Sequence, residues 1–344
     1  MKALVLEEYM KFVYKDVETP KPQDGEVLIK IEAVAVCGSD VHGMDGSSGR
    51  RRPPIIMGHE AAGTIAEIGN GVEGYNVGDR VTFDSTIYCN ECSMCEMGNV
   101  NLCDNRRVLG VSCEDYKLDG AFAEYVVVPS YILYRLPDNV TFTQASMVEP
   151  LSIAYHAATR VEIAKGASVA IVGVGTIGML ILQVVKAMGA ENIIAIDIDD
   201  EKLQMALKMG ASSVVNSKDK DAIDKILSKT KDNKGVDFAF DATGIEQTVS
   251  MCLKALALNG KLVLVGNLAP NISFPLQWVV TRQLSLFGSC ASAGEYNECI
   301  KLISEGKVDV DSLISKTVPM SEGHEWITKV YNREDGLNKI VMIP

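Results

Sequence analysis

Cys89, Cys92, Cys95 and Cys103 lie within fifteen residues, at spacings of three, three and eight. Four thiolates without a histidine suit a closed, tetrahedral zinc site. The close spacing lets one loop wrap the ion. Polar neighbours such as Asn90, Glu91, Ser93 and Asn99 describe a surface lobe without its own core, held together by metal. An iron–sulfur cluster is the competing use of four thiolates. The run lacks the proline that closes the bacterial ferredoxin pattern, and its last gap is longer. Four protein ligands leave no open position, so a zinc ion here is structural.

A second set of donors is dispersed. Cys37-Gly38-Ser39-Asp40-Val41-His42 follows an apolar run, Gly58-His59-Glu60 follows Pro53-Pro54, and Glu149-Pro150 stands further on. Cysteine, histidine and carboxylate are sound zinc ligands, and three of them leave one position for water or substrate. Taken singly, such a cysteine is a small buried hydrophobe. Its significance comes from the company it keeps.

That company is a nucleotide motif. The apolar run Val169–Val172 leads directly into Gly173-Val174-Gly175-Thr176-Ile177-Gly178, and an amphipathic stretch follows. Gly173 permits a tight turn, Gly175 lets backbone approach a pyrophosphate, and Gly178 lets helix and strand pack closely. A diphosphate would sit at the helix N-terminus, where unpaired N–H groups and the helix dipole attract anions. Asp197 ends the next strand, 19 residues after Gly178. Its carboxylate accepts ribose hydroxyls of NAD and repels the 2′-phosphate of NADP.

The elements that must position these residues fall into two patterns. The first 130 residues read as short β runs, such as Val27–Ile31, broken by Gly and Pro turns. From Val169 to Val265, β runs alternate with helical stretches near Thr176–Met188, Glu201–Met209, Ala222–Lys229 and Gln247–Leu258, which predicts a parallel sheet covered on both faces. A tail carries a strand near Leu284–Phe287, helices near Glu295–Ser304 and Gly323–Asn332, and a last strand, Ile340–Ile343. The fold class is α/β.

The 344 residues carry a formal charge of −12, with 33 Lys and Arg against 45 Asp and Glu. That balance speaks against nucleic acid or an anionic membrane as partner. The one basic run, Arg50-Arg51-Arg52, reads as a solvated loop. No apolar segment approaches the roughly 18 residues that span a bilayer, and Met1-Lys2 leads into too short an apolar run for a secretory signal. The expectation is a cytoplasmic protein whose nine cysteines stay reduced.

Taken together, Gly58-His59-Glu60, the four-cysteine lobe and Gly173–Gly178 resemble the zinc-containing medium-chain alcohol dehydrogenase family along essentially the whole chain. The resemblance implies a GroES-like, β-rich catalytic domain formed by 1–149 and 287–344, with the zinc lobe at 86–106. It implies a Rossmann NAD-binding domain at 150–286, and a homodimer or homotetramer. Val148-Glu149-Pro150-Leu151 resembles the branch acting on polyols such as sorbitol and galactitol phosphate. The ethanol-active branch usually carries cysteine there, and threonine dehydrogenases Asp-Pro.

By the same resemblance, Cys37 and His59 are ligands of a second, catalytic zinc, with Glu60 and Glu149 as alternating further ligands. Ser39 accepts the substrate proton and His42 carries it to solvent. Lys202 resembles a ribose contact, while Thr243, Val265 and Gly266 mark strand ends that line the cofactor. The implied reaction passes a hydride from a secondary hydroxyl of a polyol to NAD, leaving a ketone, with zinc as the Lewis acid that lowers the hydroxyl pKa. Alternatives are a polyol phosphate, which Arg50-Arg51-Arg52 could meet, a threonine-type substrate, or a non-catalytic NAD-binding protein on the same fold.

Overall fold

The computed structural model describes residues 1–334 and 336–344. The chain forms two compact units: Met1–Glu149 with Tyr296–Glu305 and Val310–Pro344, and Pro150–Glu295 with Gly306–Asp309.

In the nucleotide unit, six parallel strands run in the order Ser213–Asn216, Asn192–Asp197, Ser168–Val172, Val236–Asp241, Leu256–Leu264, Ser285–Gly288. The strands are apolar on both faces because helices cover both, and Ala170, Ile194, Ala239 and Leu262 are wholly buried. The order reverses beside Ser168–Val172, and in such sheets ligands bind at that switch, outside the carboxyl ends of the strands. Sequence reasoning ends this unit at 286. Here Ser285–Gly288 is its sixth strand, held by pairing with Leu256–Leu264, and the unit continues to Glu295. The helix expected over Gln247–Leu258 stops at Ala255, because Leu256 already pairs with Val236 as the next strand begins.

The other unit is built on the ten-residue strand Glu26–Ala35. Glu60–Ile68 pairs with it antiparallel, and Tyr125–Pro129 and the terminal strand Lys339–Ile343 pair with its other edge. The register sets Ala35 opposite both Glu60 and Val341. The terminal strand thus lies in the first unit, and its first residue, Lys339, stands beside Glu60. Leu4, Ile29, Ile31, Phe83 and Phe122 form the core beneath. The cysteine lobe has no such core. A two-stranded ribbon, Thr86–Ile87 with Arg107–Val108, closes its neck. Among the described residues, no helix is long and apolar enough to cross a membrane.

Candidate active site

Cys37 stands two residues past the end of the long strand and caps the short helix Gly38–Gly43. Its backbone N–H donates to Asp40 Oδ2 at 3.2 Å. His59 follows Gly58, whose φ of +89° and contact with the Phe122 ring admit no side chain. The strand pairing then brings Cys37, His59 and Glu60 together, with one donor atom from each lying within 4.8 Å of the others. His59 and Glu60 are 5% and 1% exposed. Glu149 is buried but stands outside this trio, and its Oε1 accepts the Ser85 hydroxyl at 3.0 Å. Ser39 Oγ lies 3.5 Å from His59 Nε2, while His42 is exposed on the last turn of the helix.

The electrostatics of this trio favour a cation. Burial, then the charge of Glu60, pushes the Cys37 thiol well above its ordinary pKa. Burial also lifts the Glu149 carboxyl to about 7, against the pull of His59 and the Ser85 hydroxyl. A metal ion among these donors reverses both trends, because it favours thiolate and carboxylate outright. His59 Nδ1 faces the wholly buried Asp40 Oδ1 at 3.6 Å, and neither atom has a hydrogen-bond partner. An Nδ1–H held towards that acid would leave Nε2 free to bind a metal, the usual arrangement behind a metal-bound histidine. The residues present fit a zinc ion with an open position.

Two residues here escaped sequence reasoning. Lys339 Nζ donates to Glu60 Oε2 and Oε1 at 2.7 and 3.0 Å and to Val36 O at 3.1 Å, and is only 4% exposed. Burial opposes its charge, yet Glu60 and its neighbours hold its pKa above the ordinary value. The available signal was a lysine opening an apolar terminal strand. Arg51, read as part of a solvated loop, is instead 5% exposed and paired with Asp40 Oδ1 at 3.5 Å. Arg52 is exposed and pairs with Glu114. The basic run is therefore not an open cationic patch.

The second cluster brings together Cys89, Cys92, Cys95 and Cys103, all as free thiols. Sulfur–sulfur separations are 3.5 Å for Cys92–Cys95, 3.5 Å for Cys89–Cys103 and 4.0 Å for Cys89–Cys95. Four sulfurs at about 2.3 Å from zinc would be about 3.8 Å apart, so the loop already holds its ligands near their final spacing. Backbone N–H groups, that of Asp104 first, lower the Cys92 thiol to about 6, and the N–H of Glu91 lowers Cys89. Burial, then the Cys92 and Cys103 thiols, raises the Cys95 thiol to about 12, so the lobe holds two thiols eased towards thiolate and one that a bound metal would have to ionise.

In the nucleotide unit, Gly173 has φ of +87° and packs on Thr243, Gly175 caps helix Thr176–Met188, and Gly178 closes on the Gly173 carbonyl. Thr176 and Ile177 form the first turn of that helix. Asp197 ends its strand and accepts the Val174 N–H at 2.8 Å and those of Ile198 and Asp199 at 2.8 and 3.1 Å. Lys202 lies on the following helix, 4.0 Å from Asp199. Asp241, wholly buried, accepts the N–H groups of Thr243 and Gly244, and its carbonyl accepts those of Val265 and Gly266. One buried acid thus ties together both strand ends expected to line the cofactor. His156 pairs with Glu295 at 2.6 Å.

Comparison with known proteins agrees with this architecture. Residues 23–138 match the alcohol dehydrogenase GroES-like domain, and residues 176–305 match the zinc-binding dehydrogenase family. A sorbitol dehydrogenase of Bacillus subtilis is 30% identical over 348 residues, covering 100% of this chain and 97% of that protein. Among solved structures, a zinc-binding dehydrogenase of Sinorhizobium meliloti bound to NADP superposes with TM-score 0.92 at 29% identity, covering 100% of this chain and 99% of that one. An Escherichia coli alcohol dehydrogenase complexed with NADH gives 0.92 at 27%, again with 100% and 99% covered. With its GroES-like unit, its parallel nucleotide-binding sheet and two zinc-compatible donor sets, the chain belongs to the zinc-binding alcohol dehydrogenase family and is a nicotinamide-dependent enzyme.

Proposed function

We propose that this enzyme oxidises a secondary hydroxyl of a polyol or sugar alcohol to a ketone, with NAD as hydride acceptor. The observation that carries the reading is the trio Cys37, His59 and Glu60 within 4.8 Å, with Ser39 beside it. Cys37 and His59 hold the catalytic zinc, with Glu60 and Glu149 as the carboxylates that alternate beside it, and the four-cysteine lobe holds a second zinc. Zinc supplies a Lewis acid that makes an alcohol hydroxyl acidic near neutral pH, and NAD supplies the hydride acceptor.

The protein supplies placement and a path for the proton. Ser39 Oγ accepts the substrate hydroxyl proton, and the exposed His42, one helical turn on, passes it to water. Buried Asp40 keeps the His59 ring in register. Lys339 holds both oxygens of Glu60, so drawing Glu60 towards the metal means loosening a buried ion pair. On the nucleotide unit, the Gly173–Gly178 turn receives the pyrophosphate, and Lys202, Thr243, Val265 and Gly266 line the cofactor. Asp197 selects NAD by meeting the ribose hydroxyls with a carboxylate.

The polyol preference rests on Glu149 before Pro150 and on the relationship to a sorbitol dehydrogenase. A substrate panel with NAD tests it: free polyols, sugar-alcohol phosphates, threonine, short alcohols and formaldehyde. Free polyols are expected to give the highest kcat/KM. A clear preference for a phosphorylated polyol or threonine would overturn the substrate assignment and leave the reaction class intact.

A further inference from the structure

We propose that Arg51 is a positioning residue for the proton transfer at Ser39, setting the direction in which that hydroxyl accepts and gives. The inference rests on the reading of Ser39 as proton acceptor. Arg51 Nη2 lies 3.4 Å from Ser39 Oγ and 3.5 Å from Asp40 Oδ1, and Nη1 donates to Arg50 O at 3.1 Å. The side chain is 5% exposed, and its Nε is buried without a partner. Its stem crosses the Gly38–Gly43 helix at Gly43, where a Cβ would fall 2.3 Å from Arg51 Cγ. A buried guanidinium laid over a glycine and aimed at a reacting hydroxyl is placed, not tolerated, since an unneeded charge at this depth is costly.

The chemistry follows from what each group can do. A guanidinium only donates. Its contact therefore occupies an acceptor lone pair of Ser39 Oγ and turns the Ser39 hydrogen elsewhere. One acceptor site remains for the substrate. As the substrate O–H bond breaks, its proton joins Ser39 Oγ, and the proton Ser39 already carried moves on towards His42 and water. No net charge is left on the serine. The adjacent guanidinium stabilises whatever negative charge develops on the oxygens during the transfer. The same cation faces Asp40, whose other oxygen holds the Cys37 N–H and which stands behind His59. Arg51 thus connects the hydroxyl that moves the proton to the acid that orients a metal-binding ring. A lysine keeps the charge but lacks the planar fork that reaches Ser39 and Asp40 together.

The test uses the zinc-loaded enzyme and its best polyol. Arg51→Lys is expected to lower kcat about tenfold with little change in KM, and Arg51→Ala to lower it on the order of a hundredfold. The solvent deuterium isotope effect on kcat should rise in both, since proton transfer becomes slower. Added guanidinium or ethylguanidinium should restore part of the Arg51→Ala loss. Zinc content and the melting temperature of Arg51→Lys should match wild type. In a Ser39→Ala background, Arg51→Lys should add nothing further. Unchanged kcat in both Arg51 variants, with Ser39→Ala impaired, overturns the proposal alone. So does a loss that tracks zinc content and no guanidinium restores, because that is a merely structural role. Full activity in Ser39→Ala overturns the underlying relay, and the proposal with it.

Discussion

Removing Lys339 tests whether the buried ion pair it makes with Glu60 of the donor trio is essential to the fold. Lys339→Met preserves the length and apolar stem of the side chain and deletes its charge. It strips Glu60 of two hydrogen bonds, 2.7 and 3.0 Å long, at a position where the carboxylate is only 1% exposed. Breaking one partner of a buried pair costs about 3–5 kcal/mol, because an uncompensated charge is left behind. At about 2–4 °C per kcal/mol for a unit of this size, the melting temperature should fall by roughly 6–20 °C. The assay is a thermal melt of wild type, Lys339→Met, Glu60→Gln and the double variant at one zinc concentration. Glu60→Gln in the Lys339→Met background should recover most of the loss, since a neutral amide is far cheaper to bury. A melting temperature within a degree of wild type for Lys339→Met would refute the argument that this pair is buried and tight.

Other perturbations separate the remaining elements. Cys89→Ser should reduce folded stability more than turnover, and His59→Ala should reduce turnover with the fold retained; circular dichroism melts and activity assays on both variants check this, and identical phenotypes would mean that one zinc site is misassigned. Elemental analysis after zinc supplementation should find two zinc ions per subunit, and iron absorbance would contradict the assignment of the cysteine lobe. Asp197→Ser should narrow the preference for NAD over NADP by roughly five- to 150-fold in kcat/KM, corresponding to about 1–3 kcal/mol of relieved repulsion; it also removes the acceptor of the Val174 N–H. Burial opposes the Glu295 charge, but His156 holds its pKa below the usual value, so this pair contributes stability that is present above the ordinary glutamate pKa and is lost as pH falls on through the lowered, folded-state pKa; His156→Phe should flatten that part of the melting curve against pH.

What could be read in the chain follows the range over which each signal acts. The four cysteines declare themselves because their ligands are neighbours in sequence, and the glycine turn does so because strand, turn and helix are contiguous. Cys37 and His59 are separated by a whole loop, and only the family resemblance joins them. The Lys339–Glu60 pair spans 279 residues and depends on the terminal strand returning beside Glu26–Ala35, which no local pattern specifies. Arg51 sits in a run whose composition is that of a surface loop. It is buried because Gly43 leaves room for its stem and Asp40 offers a charge. Leu256-Ala257-Leu258 suits helix and strand equally, and pairing with Val236 decides for the strand.

In the proposed function, polyol oxidation by NAD depends on a zinc ion held by Cys37, His59 and their neighbouring carboxylates. The most direct measurement follows NADH formation from sorbitol and related polyols with enzyme as purified, after chelation, and after zinc is restored. Polyol-dependent NADH formation should disappear on chelation, return with zinc, and fail to return in His59→Ala. Undiminished NADH formation in the fully chelated enzyme, or none with any polyol at two zinc ions per subunit, would contradict it.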